Sequence, residues 1–224
     1  MATSASLTLS LQHASLLKGL SEGALAGLSA SASVRLYQPE QIIALEGDPC
    51  REALFVSEGL VRVRQLSQEG REHVLGYLGA GSCLNLTPAL DGGSLLASLE
   101  AIIETTIIAV PCNRVRPLLR GSPAFAEAVA LTLAADNRRL SGMARDLALH
   151  SVRARLARFL LHHAEHTPPQ ERWTQAAIAA NIGTVRDVVG RVLRSFADEG
   201  IIRRERGRLR VIDRSRLEQA AQKE

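Results

Sequence analysis

Arg186, Arg191 and Arg194 stand close together in the segment Thr184-Val185-Arg186-Asp187-Val188-Val189-Gly190-Arg191-Val192-Leu193-Arg194. If this segment is helical, Val188, Val189, Val192, Leu193 and Phe196 include its buried side, leaving Arg186, Asp187, Gly190, Arg191 and Arg194 outside. A guanidinium is a planar fork of donors that matches the O6 and N7 acceptors of guanine, and it matches a phosphate equally well. Arg186 and Arg191 are therefore expected at base edges, Asp187 at a cytosine amine and Arg194 at phosphate, with Gly190 letting the helix approach closely. The plain alternative is a solvated basic helix without a nucleic-acid partner. A second chemistry is suggested by His162 and His166, whose four-residue spacing on a helix can hold a metal, with His163 and Glu165 beside them. A metal-dependent enzyme built there needs a third placed ligand, which the spacing does not supply, and solvated helix-end histidines are the simpler reading.

Those side chains need elements to hold them. Thr174 can cap a short helix whose small Ala179 admits a second helix, and Gly183 supplies a left-handed turn between the two. Thr184 and Asp187 form a capping pair for the second helix. With Gln175 near the start of the first helix, this order predicts a helix-turn-helix with its reading helix near residues 185–197. Beyond Gly200, Ile201–Arg204 and Arg208–Ile212 flank a turn at Arg206-Gly207, a basic β-wing that adds Arg208 to the expected DNA-binding set. The DNA-binding residues expected are thus Thr174, Gln175, Thr184, Arg186, Asp187, Gly190, Arg191, Arg194 and Arg208.

Upstream, Ser151 can cap a helix carrying Val152, Leu156, Phe159, Leu160 and His163 on its apolar side. Pro123 suits the first turn of a long helix in which Val129, Leu133, Asp136, Leu140, Met143, Leu147 and His150 alternate at intervals of four and three. That is the seam of a parallel homodimer, unless the stripe covers the chain's own β-domain. Asp136 is the anomaly in the seam, a polar group that can fix register. Between Val34 and Val110, short apolar or alternating runs at Gln41–Leu45, Leu54–Val56, Leu60–Val63, Val74–Leu78, Leu95–Leu99 and Glu104–Val110 are punctuated by glycine turns, the texture of a sandwich or small barrel. Small lead-in helices are expected around Leu16–Leu28. The fold class is α+β in three parts: a β-domain over 1–122, a dimerisation helix over 123–150 and a winged helix-turn-helix over 151–224.

Charge is distributed to match. Residues 1–150 carry 12 Lys+Arg and 14 Asp+Glu, net −2, whereas residues 151–224 carry 15 and 9, net +6. The basic half is C-terminal and almost all arginine. With 46% apolar and 22% charged residues the 224-residue chain resembles an ordinary globular protein rather than a disordered tail. No apolar run approaches the roughly 20 residues that span a bilayer, and Met1–Ser10 lacks the pattern of a secretion signal, so no membrane association and a cytoplasmic location are expected. Cys50, Cys83 and Cys112 are odd in number and lack a CxxC pair, which suggests neither a disulfide framework nor a zinc site. No nucleophile, base and orienting group occur together, and the chain is read as a non-enzyme.

With these residues in hand the chain resembles the Crp/Fnr family of bacterial transcription regulators. Glu46-Gly47-Asp48 resembles the family's early β-roll turn, Leu54–Gly59 its following strand and turn, and Gly79-Ala80-Gly81-Ser82 the entry to its ligand cassette. The resemblance implies a double-stranded β-roll of the cyclic-nucleotide-binding type, a long dimerisation helix and a winged helix-turn-helix. It also implies a homodimer on a two-fold symmetric double-stranded DNA site, with RNA polymerase as partner. Gly183 through Arg191 looks like the recognition segment of the catabolite-activator branch, so Arg186, Asp187 and Arg191 inherit base-reading roles. Val185 stands where Ser or Thr is common, and Asp187 replaces Glu.

The same resemblance locates an effector pocket around Cys83, Leu84, Asn85, Leu86, Leu96 and Ala97. The family's cassette binds cyclic AMP through a Glu and an Arg, because neither the ribose hydroxyl nor the cyclic phosphate is readily buried unpaired. Leu86 and Leu96 stand about where those two belong, so cyclic AMP is not expected. The iron–sulfur branch needs cysteines near the N-terminus, and none precedes Cys50. Cys83 and His73 keep haem open as a cofactor. The leucines Leu84, Leu86, Leu90, Leu95 and Leu96 suit haem, another hydrophobic ligand, or no ligand, and Cys83 reads equally as a buried small apolar residue. Cys50 beside Arg51 and Cys112 close to Arg114 are the hints of a redox switch, so a haem- or redox-responsive regulator is the alternative within the family.

Overall fold

The computed structural model describes residues 4–166, 173–205 and 208–222. Three short helical pieces lead in: α1 (Ser4–Gln12), a single 3₁₀ turn (Ser15–Leu17) and α2 (Glu22–Ser29), whose cap Ser21 accepts the Ala24 N–H. The lead-in helices expected from Leu16–Leu28 are present, and α1 is an addition that the serine-rich sequence hid, since Ser and Thr are weak helix formers.

Seven strands follow: β1 (Ser33–Tyr37), β2 (Ile42–Ala44), β3 (Glu52–Glu58), β4 (Leu60–Leu66), β5 (Glu72–Gly79), β6 (Ser98–Ala101) and β7 (Thr105–Pro111). They form two sheets, one ordered β1-β7-β3 and one ordered β2-β6-β4-β5. The register is antiparallel, with Leu54 opposite Ala109 and Arg62 opposite Glu100. The run Leu95–Leu99 becomes a strand only from Ser98, because Leu95 is instead tied to the β2–β3 turn, its N–H donating to the Asp48 carbonyl. A helix, α3 (Leu86–Asp91), interrupts the strands between β5 and β6, and the short α4 (Cys112–Val115) and α5 (Leu118–Gly121) close the domain.

Two apolar clusters stabilise this part. Leu54, Val56, Val61, Leu84, Leu99, Ile107 and Ala109 form one. The lead-in helices, Phe55, Ile108, Leu86, Cys112 and the first turns of α6 (Pro123–Leu149) form the other, where Phe125 and Val129 are buried. The alternation in β3 explains the division, since Leu54 and Val56 join one cluster and Phe55 the other.

α7 (Val152–His166) starts at Ser151, whose hydroxyl accepts the Ala154 N–H at 3.2 Å. α8 (Gln175–Ile182), α9 (Arg186–Asp198), the wing strands β8 (Ile202–Glu205) and β9 (Arg208–Val211) and α10 (Arg214–Gln222) complete the chain. Their common core holds Leu156, Ile178, Val189, Phe196 and Leu217. α10 was not expected: its sequence is polar apart from Leu217, Ala220 and Ala221, which are buried. The chain divides into two units, one of residues 1–65 and 75–137 and one of residues 66–74 and 138–224. Among the described residues no helix is long and apolar enough to cross a membrane.

Candidate nucleic-acid interface

Thr174 caps α8 as its position suggests, its hydroxyl accepting the Ala177 N–H at 3.1 Å. The helix stops at Gly183, which takes the left-handed conformation (φ 66°, ψ 51°) while its N–H and that of Thr184 both close on the Ala179 carbonyl. A Cβ at Gly183 would press on the Leu147 side chain and approach the His73 ring and the Arg155 guanidinium, so both the backbone and the space select glycine.

That closure alters the expected start of the second helix. Thr184 is engaged in ending α8, and α9 begins one residue later with Val185 as its N-cap and no side-chain cap. The predicted Thr184–Asp187 capping pair is thus not formed. Asp187 falls in the first turn, where its charge still complements the helix dipole.

α9 buries Val189, Gly190, Leu193 and Phe196. Arg186, Asp187, Arg191 and Arg194 are exposed, as the helical spacing predicts. Asp187, Arg191, Arg194 and Asp198 follow one another at intervals of four, three and four, a stripe on the outward face, and Arg186 lies at the helix's N-terminal end. Gly190 is corrected: it lies inside, not outside, and a Cβ there would stand 3.1 Å from Gln175 Oε1. The close approach it permits is therefore that of α8 on α9, and Gln175 is half-buried against that contact while Thr184 is half-buried at the turn.

Behind the outward face, Arg153 braces α9. It donates to Ser195 Oγ at 2.8 Å and to Glu199 Oε2 at 2.7 Å, and its guanidinium stacks 4.4 Å from the centre of the Phe196 ring. Ser195 in turn donates to Glu199 Oε1 at 2.7 Å. Ser195 and Arg153 hold the exposed Glu199 carboxyl below its ordinary value, the serine hydrogen bond contributing most. In the wing, Arg203 and Arg210 lie on directly paired positions, both well exposed and 3.7 and 3.6 Å from Glu205. Of this basic wing, the DNA-binding set expected from the sequence takes only Arg208. The backbone of Arg208 is in β9 opposite Glu205, and the turn residues Arg206 and Gly207 lie outside the described residues.

The other expected sites are placed as follows. Asn85 is buried just before α3, with its Oδ1 accepting the Leu54 N–H at 2.9 Å and its Nδ2 donating to the Glu52 carbonyl at 2.8 Å. Leu84 packs in one cluster and Leu86 with Leu90 in the other, Leu95 and Ala97 are buried, and Leu96 is 61% exposed. The fold distributes those leucines between two cores and the surface rather than around one cavity. Burial, the first cause, pushes the Cys83 thiol up to about 12. His73 belongs to the other unit, where its Nδ1 meets the Ala180 carbonyl at 3.1 Å. The His162 and His163 rings meet edge to face with centres 5.1 Å apart, and the His163 ring lies tilted against Phe159 and Trp173, while the side chains of Glu165 and His166 lie outside the described residues. No metal-holding group of three or more residues occurs among the described residues. A feature with no sequence signal is the buried Glu100 carboxylate, which takes Arg62 at 2.8 Å and Arg64 at 2.8 Å from the neighbouring strand.

A two-sheet β-domain, a long helix and a winged helix-turn-helix with an arginine-bearing outer face define a DNA-binding transcription regulator. The family profiles agree: a cyclic nucleotide-binding domain matches residues 34–122 and a Crp-like helix-turn-helix domain residues 154–220. The Cyclic AMP receptor protein of Thermus thermophilus is 30% identical over 188 residues, covering 84% of this chain and 87% of the relative. A CRP-like cAMP-activated global transcriptional regulator of Mycobacterium tuberculosis is 26% identical over 219 residues, covering 94% and 98%. The crystal structure of a Crp/Fnr-family regulator from Eubacterium rectale superposes with a TM-score of 0.78 at 24% identity, covering 92% of this chain and 97% of that one, a likeness of fold. The chain belongs to the Crp/Fnr family of transcription regulators.

Proposed function

We propose that the chain acts as a homodimer on a two-fold symmetric DNA site, each protomer laying the N-terminal half of α9 in the major groove. Arg186 and Arg191 read guanine edges, Asp187 accepts from a cytosine amine, and Arg194 with Arg208 of the wing meets phosphate. Thr174 and Gln175 bring the start of α8 to the backbone, and Thr184 lies at the turn between the helices. The observation that carries this reading is the exposed stripe of α9 set on a core that fixes its orientation through Val189, Leu193 and Phe196.

Dimerisation rests on α6. Leu133, Leu140 and Leu147, members of the predicted seam, are 37%, 45% and 43% exposed in the single chain, and a second copy of the helix would cover them. RNA polymerase is the expected partner once the dimer is seated.

For the β-domain, the reading is that it does not bind cyclic AMP, with haem, another hydrophobic ligand or no ligand as the alternatives. Leu86 opens α3 with its side chain buried, and Leu96 is exposed, so neither position offers the carboxylate or guanidinium that a ribose and a cyclic phosphate require. Selection of bound sequences from a random DNA pool tests the main reading, with an ultraviolet–visible spectrum of the purified protein for haem. An enriched palindrome is the expected result. Sequences retained without enrichment would refute it.

A further inference from the structure

Cys50, Cys83 and Cys112 are far apart in sequence yet all border the apolar cluster beneath the lead-in helices. Two of them are in contact: Cys50 Sγ and Cys112 Sγ are 3.9 Å apart. Cys50 lies two residues before β3 and Cys112 directly follows β7, and these strands are registered, with Glu52 opposite Pro111 and the Cys112 N–H donating to the Arg51 carbonyl at 3.0 Å. A disulfide is about 2.0 Å long, so the two sulfurs must close by roughly 1.9 Å to bond. The two thiols are not equivalent, because Cys50 is half-buried and Cys112 only 4% exposed.

We propose that Cys50 and Cys112 are a reversible dithiol–disulfide pair, in which Cys50 attacks a small external disulfide and Cys112 resolves it. In the first step Cys50 loses its proton to solvent, its sulfur bonds to one sulfur of the reagent RSSR, and RS⁻ leaves. In the second, Cys112 loses its proton and attacks Cys50 Sγ, the mixed disulfide breaks, and the second RS⁻ leaves. Two thiols of the protein are oxidised and one RSSR is reduced to two RSH.

The surroundings set the pace and the consequence. Desolvation first, and then the neighbouring Cys112, push the Cys50 thiol up to about 12, against which Arg116 and the Asn85 hydrogen bond act weakly. Little thiolate exists at neutral pH, so the pair responds slowly, and its rate climbs about tenfold per pH unit below that value. Asn85 Nδ2 donates to Cys50 Sγ at 3.1 Å as well as to the Glu52 carbonyl, and Asn85 immediately precedes α3. Drawing Cys50 Sγ toward Cys112 withdraws one of the acceptors that hold the start of α3, which ties the thiol state to that helix.

The test uses the reduced full-length protein and oxidised glutathione at about pH 8.5, where thiolate is better populated, followed by acid quench, alkylation with N-ethylmaleimide and peptide mapping. The expected product is an intramolecular Cys50–Cys112 link with Cys83 alkylated, forming about tenfold faster for each added pH unit. Cys112→Ser stops at a lasting glutathione adduct on Cys50, and Cys50→Ser leaves Cys112 alkylated. Amide exchange over residues 86–91 quickens on oxidation. Wild-type protein with all three cysteines alkylated, a stable glutathione adduct on Cys50, or a link through Cys83 or a second copy would overturn the pair, and unchanged exchange in α3 would overturn the coupling. None of these readouts involves DNA, so their failure is distinct from failure of the operator-reading role.

Discussion

Arg186→Ala separates base reading from simple attraction to the DNA backbone. Arg186 is the first residue of α9 and exposed, so its truncation is expected to change folding stability by no more than about 0.5 kcal/mol. A bidentate guanine pairing supplies about 1–3 kcal/mol of discrimination at one base pair. A two-fold site holds two such pairings, and if they add, the palindrome loses about 2–6 kcal/mol, or roughly thirtyfold to twenty-thousandfold in affinity. The assay is fluorescence anisotropy against the selected palindrome and every single-base change in its half-site, repeated over a salt series. Preference is expected to vanish at one position while the slope of log affinity against log salt barely moves. Arg194→Ala, which truncates the exposed α9 residue assigned to phosphate, is the contrast: all sequences weaken alike, and the slope falls by about 0.9 for each phosphate that is no longer neutralised, twice over in a dimer. If Arg186→Ala instead weakened every sequence equally and flattened the salt slope, Arg186 would be a phosphate ligand and the base-reading role of α9 would be wrong.

Phe196→Ala removes a fully buried ring from the winged-helix core together with the surface on which Arg153 stacks, and a loss of about 3–5 kcal/mol in denaturant unfolding is expected; a loss near that of a surface change would contradict the packing. Leu140→Glu combined with Leu147→Glu places carboxylates on the exposed apolar side of α6, and sedimentation is expected to show monomers with weakened palindrome binding, whereas an intact dimer would move the interface elsewhere. Glu199 predicts a pH effect. Its carboxyl is held below the ordinary 4.5, so the Ser195 and Arg153 bonds contribute fully above that value, and the contribution is lost as pH falls through the folded-state value. Acid unfolding of Glu199→Gln is expected to be flatter over that window, and parallel curves for the two proteins would remove Glu199 from the account.

The winged helix-turn-helix was largely legible because its signals are local. A capping threonine, a glycine in the left-handed region and apolar spacing of 3.6 act over a few residues, and they placed α8, the turn and the outward arginines nearly where they lie. The misreadings there arise where one residue has two claims on it: Thr184 closes α8 instead of capping α9, and Gly190 serves the contact with Gln175 instead of the outer face. Strand alternation likewise placed most of the β-domain, with β6 displaced by the tie between Leu95 and Asp48. What the chain order determined by itself was therefore which segments are helix, strand and turn, and which face of the reading helix carries its cations. Only the tertiary structure decided that Cys50 meets Cys112, that Asn85 bonds into β3, and that Arg62 and Arg64 share the buried Glu100. Those partners are 31 to 62 residues apart in sequence, so nothing in the local pattern marks them, and they meet only once two antiparallel sheets have fixed the register between distant strands.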